Sequence, residues 1–265
     1  MSDLPLLEFD PDEEAVLHPA STQAEVDAPI AAVGCFFSEL LDALPDRREL
    51  MVLSSLTPPH VLWEVEWQGH LLAVFFPGYG APLAAASLER VIAAGCRNIV
   101  FCGGAGAVAP ELVLGHVVIP SAALRDEGTS FHYAPPSREI EAEAEVVSTL
   151  AEVCSTSSVP YTVGKVWTTD GPFRETRRKI ARRRDEGCIV VDMEVSALLA
   201  VGRFRRVQVG TLLYAADDVS GEVWDGREWT NAVADRQRVF DLSAAAAIAL
   251  SKGAAERTDL GGSQR

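Results

Sequence analysis

Only five cysteines occur among the 265 residues, at Cys35, Cys96, Cys102, Cys154 and Cys188, and no two form a Cys-x-x-Cys pair. That scatter excludes a disulfide framework or a thiolate zinc site as an organising device. Isolated thiols of this kind are read as small buried hydrophobes in a reducing compartment. The five histidines (His18, His60, His70, His116 and His132) show no metal-ligand spacing either, so no metal is expected. Long hydrophobic runs are missing: none approaches the roughly 20 residues of a membrane helix. Met1 to Glu14 is acidic and lacks the basic start and apolar centre of a signal peptide, so a cytoplasmic protein is expected. Basic residues are the minority, 23 against 38 acidic ones, for a net charge of −15. This balance argues against nucleic acid or an anionic membrane as the main partner. It still allows a small anion held by a few local arginines. No internal repeat and no linker interrupts the chain.

What is present is an alternation of apolar segments at strand and helix spacing. Strands are predicted around Met51–Ser55, Leu62–Trp67, Leu71–Phe76, Asn98–Cys102, His116–Pro120, Tyr161–Trp167, Cys188–Val191 and Val209–Tyr214. Helices are predicted around Ala31–Leu44, Ala81–Ala94, Glu139–Ser155, Glu175–Glu186, Val195–Arg203 and Ala232–Ser251. Trp63–Gln68 and His70–Phe76 alternate cleanly about Gly69, the signature of a hairpin. The expected organisation is one α/β domain over residues 1–252, large enough to bury a generous core, and a polar Gly/Ser-rich tail over residues 253–265.

The chemistry concentrates where apolar strands end. Val190-Val191-Asp192-Met193-Glu194-Val195 passes from a strand into a predicted helix, and Tyr214-Ala215-Ala216-Asp217-Asp218 closes the next strand. A strand–helix–strand unit favours parallel pairing, and ligands of open α/β sheets bind beyond the carboxyl ends of such strands. Glu194 and Asp217 are thereby expected to face one crevice. Gly78-Tyr79-Gly80 and Gly103-Gly104-Ala105-Gly106 also follow apolar strands, and glycines there let a ligand approach backbone N–H groups. Neither segment is a P-loop or a dinucleotide fingerprint.

These segments, together with Thr168-Thr169-Asp170-Gly171-Pro172-Phe173, resemble the nucleoside phosphorylase/nucleosidase superfamily, the purine nucleoside and uridine phosphorylase type. Five motifs occur in the family's order from about Val74 to Ala249, and Glu194 and Asp217 stand 23 positions apart without a gap. The resemblance implies a central twisted mixed β-sheet flanked by helices. It also implies cleavage of a nucleoside N-glycosidic bond with no resident cofactor, inorganic phosphate being a co-substrate. In that reading Glu194 accepts from both ribose hydroxyls through charge-assisted hydrogen bonds, and Met193 supplies apolar contact under the sugar. Asp192 stands where the family usually has Glu. Gly80, Gly103 and Gly104 present backbone to sugar and acceptor, and Phe173 stacks on the base. Asp217 is the general acid that protonates the leaving base, which favours purines over pyrimidines, and Arg227 assists it. Asp218 beside it is a candidate for raising its pKa. Family members assemble as dimers or hexamers, so a homo-oligomer is expected.

The chain departs from the phosphorylases at the acceptor. Phe101 and Gly104 stand where bacterial members carry an arginine and a Ser or Thr, and the early Gly-Asp-Pro-x-Arg loop is missing, the nearest segment being Ala15–Pro19. Arg125 is the first substitute considered for the lost anchors, then Arg47 and Arg48, which otherwise read as a solvated pair. The arginines between Arg174 and Arg184 read as a solvated helix face, and His132 as a surface-loop histidine. Two further readings stay open. One is a hydrolytic nucleosidase of the methylthioadenosine/S-adenosylhomocysteine type, a branch that also lacks the arginine. The other is a non-catalytic nucleoside-binding protein.

Overall fold

The small apolar residues of Ala31–Cys35 form β1, buried along its whole length, where the sequence pattern predicts the start of a helix. The reason is its place in the sheet. Ala31, Val33 and Cys35 pack into the core on one face, while Ala32 and then Phe36 pack on the other. A strand covered on both faces loses the polar–apolar alternation that marks strands in sequence. Only Ser38–Ala43 of the predicted helix is helical (α1). The computed structural model describes residues 4–19, 26–54 and 59–262, with side chains through residue 253.

The remaining strands are β2 (Arg48–Ser54), β3 (His60–Trp67), β4 (His70–Phe75), β5 (Asn98–Ala107), β6 (Val117–Asp126), β7 (Glu139–Glu141), β8 (Tyr161–Thr169), β9 (Cys188–Asp192) and β10 (Gln208–Asp218). The helices are α2 (Ala81–Ala93), α3 (Ala144–Thr156), α4 (Arg177–Asp185), α5 (Val195–Arg205) and α6 (Val233–Gly262). β7 and the later start of α3 correct the helix expected from Glu139. The predicted hairpin forms, with Gln68 and Gly69 both at positive φ in its two-residue turn. α6 continues into the stretch read as a tail, and residues 263–265 lie outside the described residues.

All ten strands join one mixed sheet in the order β10-β6-β8-β9-β5-β1-β4-β3-β2, with β7 on β6. Because β10 also pairs with β5, the strands β5, β9, β8, β6 and β10 close into a ring, and β1, β4, β3 and β2 extend from it. The expected pairing of the strands flanking α5 is not found. β9 and β10 each lie against β5, β9 antiparallel at Gly106–Ala107 and β10 parallel from Asn98 onward. α6 packs over β5, β1 and β10, with α3 beside it, while α2 and α5 pack together on the other face. Fully buried Phe101, Phe75, Leu72 and Ile99 fill the interior; each such side chain contributes about 1.5–3 kcal/mol through burial. All five cysteines are buried free thiols. Among the described residues, no helix is long and apolar enough to cross a membrane.

Candidate active site

The carboxyl ends of β1, β5, β9 and β10 meet at one cavity of about 1180 Å³. Gly103, Gly104, Ala105 and Gly106 form its floor. They are extended strand residues, with no positive φ. Register explains the opening. β10 pairs along one side of β5 through Ala105, but on the other side pairing with β1 stops at Cys102 and pairing with β9 starts at Gly106. The edge at Gly103–Ala105 therefore looks into the cavity. A side chain at Gly104 would press on Ala216 at 3.3 Å.

Gly80 heads α2 with φ +87°, a conformation glycine alone tolerates well. Its N–H donates to Glu194 Oε1 at 2.6 Å. Asp192, last residue of β9, turns its carboxylate onto the start of α5. Its Oδ2 accepts from the N–H of Glu194 at 2.9 Å and of Val195 at 2.7 Å, and its Oδ1 from Thr168 Oγ1 at 2.7 Å. This is helix capping, so Asp192 holds the segment that carries Met193 and Glu194 into the cavity. Glu127 lies beneath, accepting from Ser196 Oγ at 2.9 Å and from Ser130. Burial pushes both Asp192 and Glu194 above the ordinary carboxyl range, and each charge works against its acidic neighbours.

Asp217 lines the same cavity and accepts from Trp224 Nε1 at 2.6 Å. The carboxylate of its neighbour Asp218 is turned to other partners. Asp218 Oδ1 accepts from Ser220 N at 2.7 Å, and Oδ2 pairs with Arg227. Burial raises Asp218, but these hydrogen bonds and the guanidinium more than offset it and hold the carboxyl low. Arg227 also donates to Leu112 O at 2.7 Å, and it is not among the residues lining the cavity, so the structure shows it bracing the loop after β10. The acidic neighbour of Asp217 is instead Glu175, which sequence reasoning passed over as a helix start. Burial, then the charge of Asp217, pushes it up to about 7. Phe173, 99% exposed, stands at the rim, and Trp224 faces the cavity from the loop after β10.

Arg125 is not part of this cavity. It is buried, stacks on Phe131 and gives its donors to Ser130, Ala134 O, Pro135 O and Ser137. Arg47 pairs with Asp42 and Arg48 with Glu64 on β2 and β3, and His132 sits in a short turn away from the site. The arginines that do line the cavity are Arg177 and Arg236. Arg177 donates to Glu222 O at 2.6 Å; Arg236 pairs with Glu39 and donates to Trp229 O. Against these two stand six carboxyl groups: Glu39, Glu175, Asp192, Glu194, Asp217 and Glu222. Among the described residues, no cluster of three or more potential metal ligands occurs.

The model of the phosphorylase superfamily matches residues 43–255, most of the chain and every strand end around the cavity except that of β1. A guanosine phosphorylase of Halorubrum lacusprofundi is 22% identical over 172 residues, 65% of this chain and 71% of that one. A uridine phosphorylase of Thermococcus kodakarensis is 31% identical over 105 residues, spanning only 40% of this chain and 38% of the relative. Among solved structures, purine nucleoside phosphorylase of Toxoplasma gondii superposes with a TM-score of 0.72 at 17% identity, covering 87% of this chain and 98% of that one. AMP nucleosidase of Bacteroides thetaiotaomicron gives 0.71 at 19%, covering 88% and 93%. The agreement of matched segment and mixed-sheet fold establishes the family: this chain belongs to the phosphorylase superfamily of enzymes.

Proposed function

We propose that this protein cleaves the N-glycosidic bond of a nucleoside, with purine nucleosides favoured. The observation that carries the reading is the convergence of Glu194 and Asp217, from the carboxyl ends of β9 and β10, on a cavity lined by Gly103–Gly106. Glu194 accepts from the ribose hydroxyls, and Met193 packs under the sugar. Asp192 positions both through its cap on α5. Gly80 orients the Glu194 carboxylate, and Gly103 and Gly104 present a side-chain-free strand edge to sugar and acceptor. Phe173 closes over the base from the rim. Asp217 is the general acid: its proton passes to the base as the glycosidic bond breaks and the bond's electron pair leaves with the base. The sugar passes through an oxocarbenium-like state that needs no resident cofactor.

Inorganic phosphate is the acceptor in the first form of this reading, with release of free base and ribose 1-phosphate; the relatives named phosphorylases support it. Water is the acceptor in the second. One observation favours the second: both cavity arginines are engaged by other groups, and carboxyl groups outnumber them six to two. The protein is further proposed to work as a homo-oligomer of dimer or hexamer type, in the cytoplasm.

The test is incubation with purine and pyrimidine nucleosides, with and without phosphate, following base and sugar by chromatography. Phosphate-dependent release with ribose 1-phosphate supports phosphorolysis; equal release in both supports hydrolysis. Asp217→Asn should lower the rate by roughly 10²–10⁴-fold while ligand binding changes little. No release by the native protein, with ligand still bound, would leave a binding protein.

A further inference from the structure

Trp224 reaches Asp217 from a loop that is fastened on several sides. Asp218 N–H donates to Asp225 O at 2.8 Å and Asp225 N–H to Asp218 O at 3.0 Å, which closes residues 219–224 into a loop. The Asp218 carboxylate braces it from within, through Ser220 N at 2.7 Å and Arg227. α4 holds it from the side: Arg184 donates to Ser220 O at 3.0 Å and to Val108 O at 2.9 Å, and Arg177 to Glu222 O at 2.6 Å. Two arginines of a helix face expected to be solvated are therefore committed to this loop. The indole lies against Gly226, where a Cβ would stand 2.9 Å from Trp224 Cη2. So placed, its Nε1–H donates to Asp217 Oδ2 at 2.6 Å, and both residues line the cavity. The other carboxyl oxygen, Oδ1, stands 3.6 Å from the place a Cβ on Gly106 would take, and Gly106 also lines the cavity. The two oxygens of Asp217 thus differ: Oδ2 meets the indole, and Oδ1 faces a residue without a side chain.

We infer that Trp224 is the positioning residue of Asp217: the loop fastened to α4 delivers its indole N–H to Oδ2, so that the acid's transferable proton sits on Oδ1, beside Gly106 in the cavity. The inference rests on the glycoside-cleaving reading. An indole only donates, so Oδ2 is committed as an acceptor and Oδ1 is the better seat for the proton. During turnover that proton passes from Oδ1 to a base nitrogen as the C1′–N bond breaks, and the bond's electron pair leaves with the base. Asp217 is left as a carboxylate, and the hydrogen bond from Trp224 becomes charge-assisted, which strengthens it as the reaction proceeds. A proton from solvent water then restores the acid. The stabilisation appears where the proton moves and not in the ground-state complex, so it raises kcat and leaves KM nearly alone.

Trp224→Phe keeps an aromatic ring and removes the N–H, at a side chain that is mostly exposed, so the variant should fold as the native protein does. Its kcat on a purine nucleoside should fall by roughly 10-fold or more, with KM changed by less than about two-fold. On 4-nitrophenyl β-D-riboside, whose leaving group departs as a stable phenolate without needing a proton, kcat should keep its native value. Equal losses on both substrates, or no loss on either, overturn the positioning role. A second readout needs no turnover. In 15N-labelled full-length protein, with the resonance assigned by its loss in Trp224→Phe, the Trp224 indole proton should move upfield in Asp217→Ala. A signal that Asp217→Ala leaves in place overturns the bond from which the inference starts. If the native protein releases no leaving group from either substrate, the glycosidase reading falls, while the indole signal still decides whether Trp224 holds Asp217. The two failures are therefore distinguishable.

Discussion

The N–H of Gly80 donates to Oε1 of Glu194 at 2.6 Å, across 114 positions of sequence. This bond ties the start of α2 to the start of α5 and aims the carboxylate that the proposed mechanism places on ribose. It exists only because Gly80 holds φ +87° and ψ 145°. Any Cβ there enters a region costing roughly 1–3 kcal/mol. Gly80→Ala should therefore lower Tm by several degrees and, by swinging the N–H away, raise KM for the nucleoside at least several-fold. Calorimetry and steady-state kinetics check both. Unchanged KM in a destabilised variant would detach this hydrogen bond from substrate binding.

Glu194 also gives the protein a signature in pH. Burial, with Asp192 next, raises its carboxyl to about 8 in the folded state, against the ordinary glutamate range unfolded. A carboxyl raised on folding binds more protons in the native than in the unfolded state, so its contribution is present at low pH and is lost as pH rises through the folded value. The ligand-free protein should lose stability steadily from about pH 4.5 to about pH 8 through this group. Glu194→Gln should remove that slope. Melting curves of both proteins across the range test it; parallel curves would show that Glu194 titrates normally.

Arg125 should matter for stability and not for chemistry. Its removal strands the carbonyls of Ala134 and Pro135, while the hydroxyls of Ser130 and Ser137 keep their bonds to Glu127 and Glu139 O. Leaving such acceptors without donors costs roughly 1–3 kcal/mol each where water cannot reach. Arg125→Ala should unfold at clearly lower urea, by about 2–4 kcal/mol in all, with kcat/KM of the folded fraction within a few-fold. Lost activity at unchanged stability would return Arg125 to the site.

Restoring the family's arginine at position 101 should fail. Phe101 is fully buried, edge-on to Phe75 at 5.8 Å and beside Phe36 at 6.4 Å. A guanidinium there has no partner, and an uncompensated buried charge costs on the order of 3–5 kcal/mol. Phe101→Arg should melt 10 °C or more below the native protein or not fold, and should gain no phosphate-dependent turnover. A well-folded variant that does gain it would show that this side chain can reach the acceptor.

How much of this was legible depends on the range of the interactions involved. The hairpin at Gly69 was readable because its turn chemistry and alternation are local. Asp192, Met193 and Glu194 were readable because a strand end, a cap and a helix start succeed one another within six residues. β1 was not, since Ala31–Cys35 is covered on both faces and its pattern matches a buried helix equally well. The direction of Asp218 was also hidden. Adjacent strand residues face opposite sides, and only the loop carrying Ser220 and Arg227 shows which side receives the donors.

Residue order thus sufficed for the α/β class, the family and the placing of Glu194 and Asp217 at two strand ends that open on one cavity, because strand ends are punctuated locally and the family's motifs keep their order and spacing. Folding in three dimensions assigned the partners. It withdrew Arg125 and Arg227 into struts, opened β5 at its glycines by ending β1 early, and set Glu175 and Trp224 beside Asp217. Those outcomes depend on loops from distant parts of the chain meeting at one rim. The spacing of residues along the chain carries no information about where such loops converge.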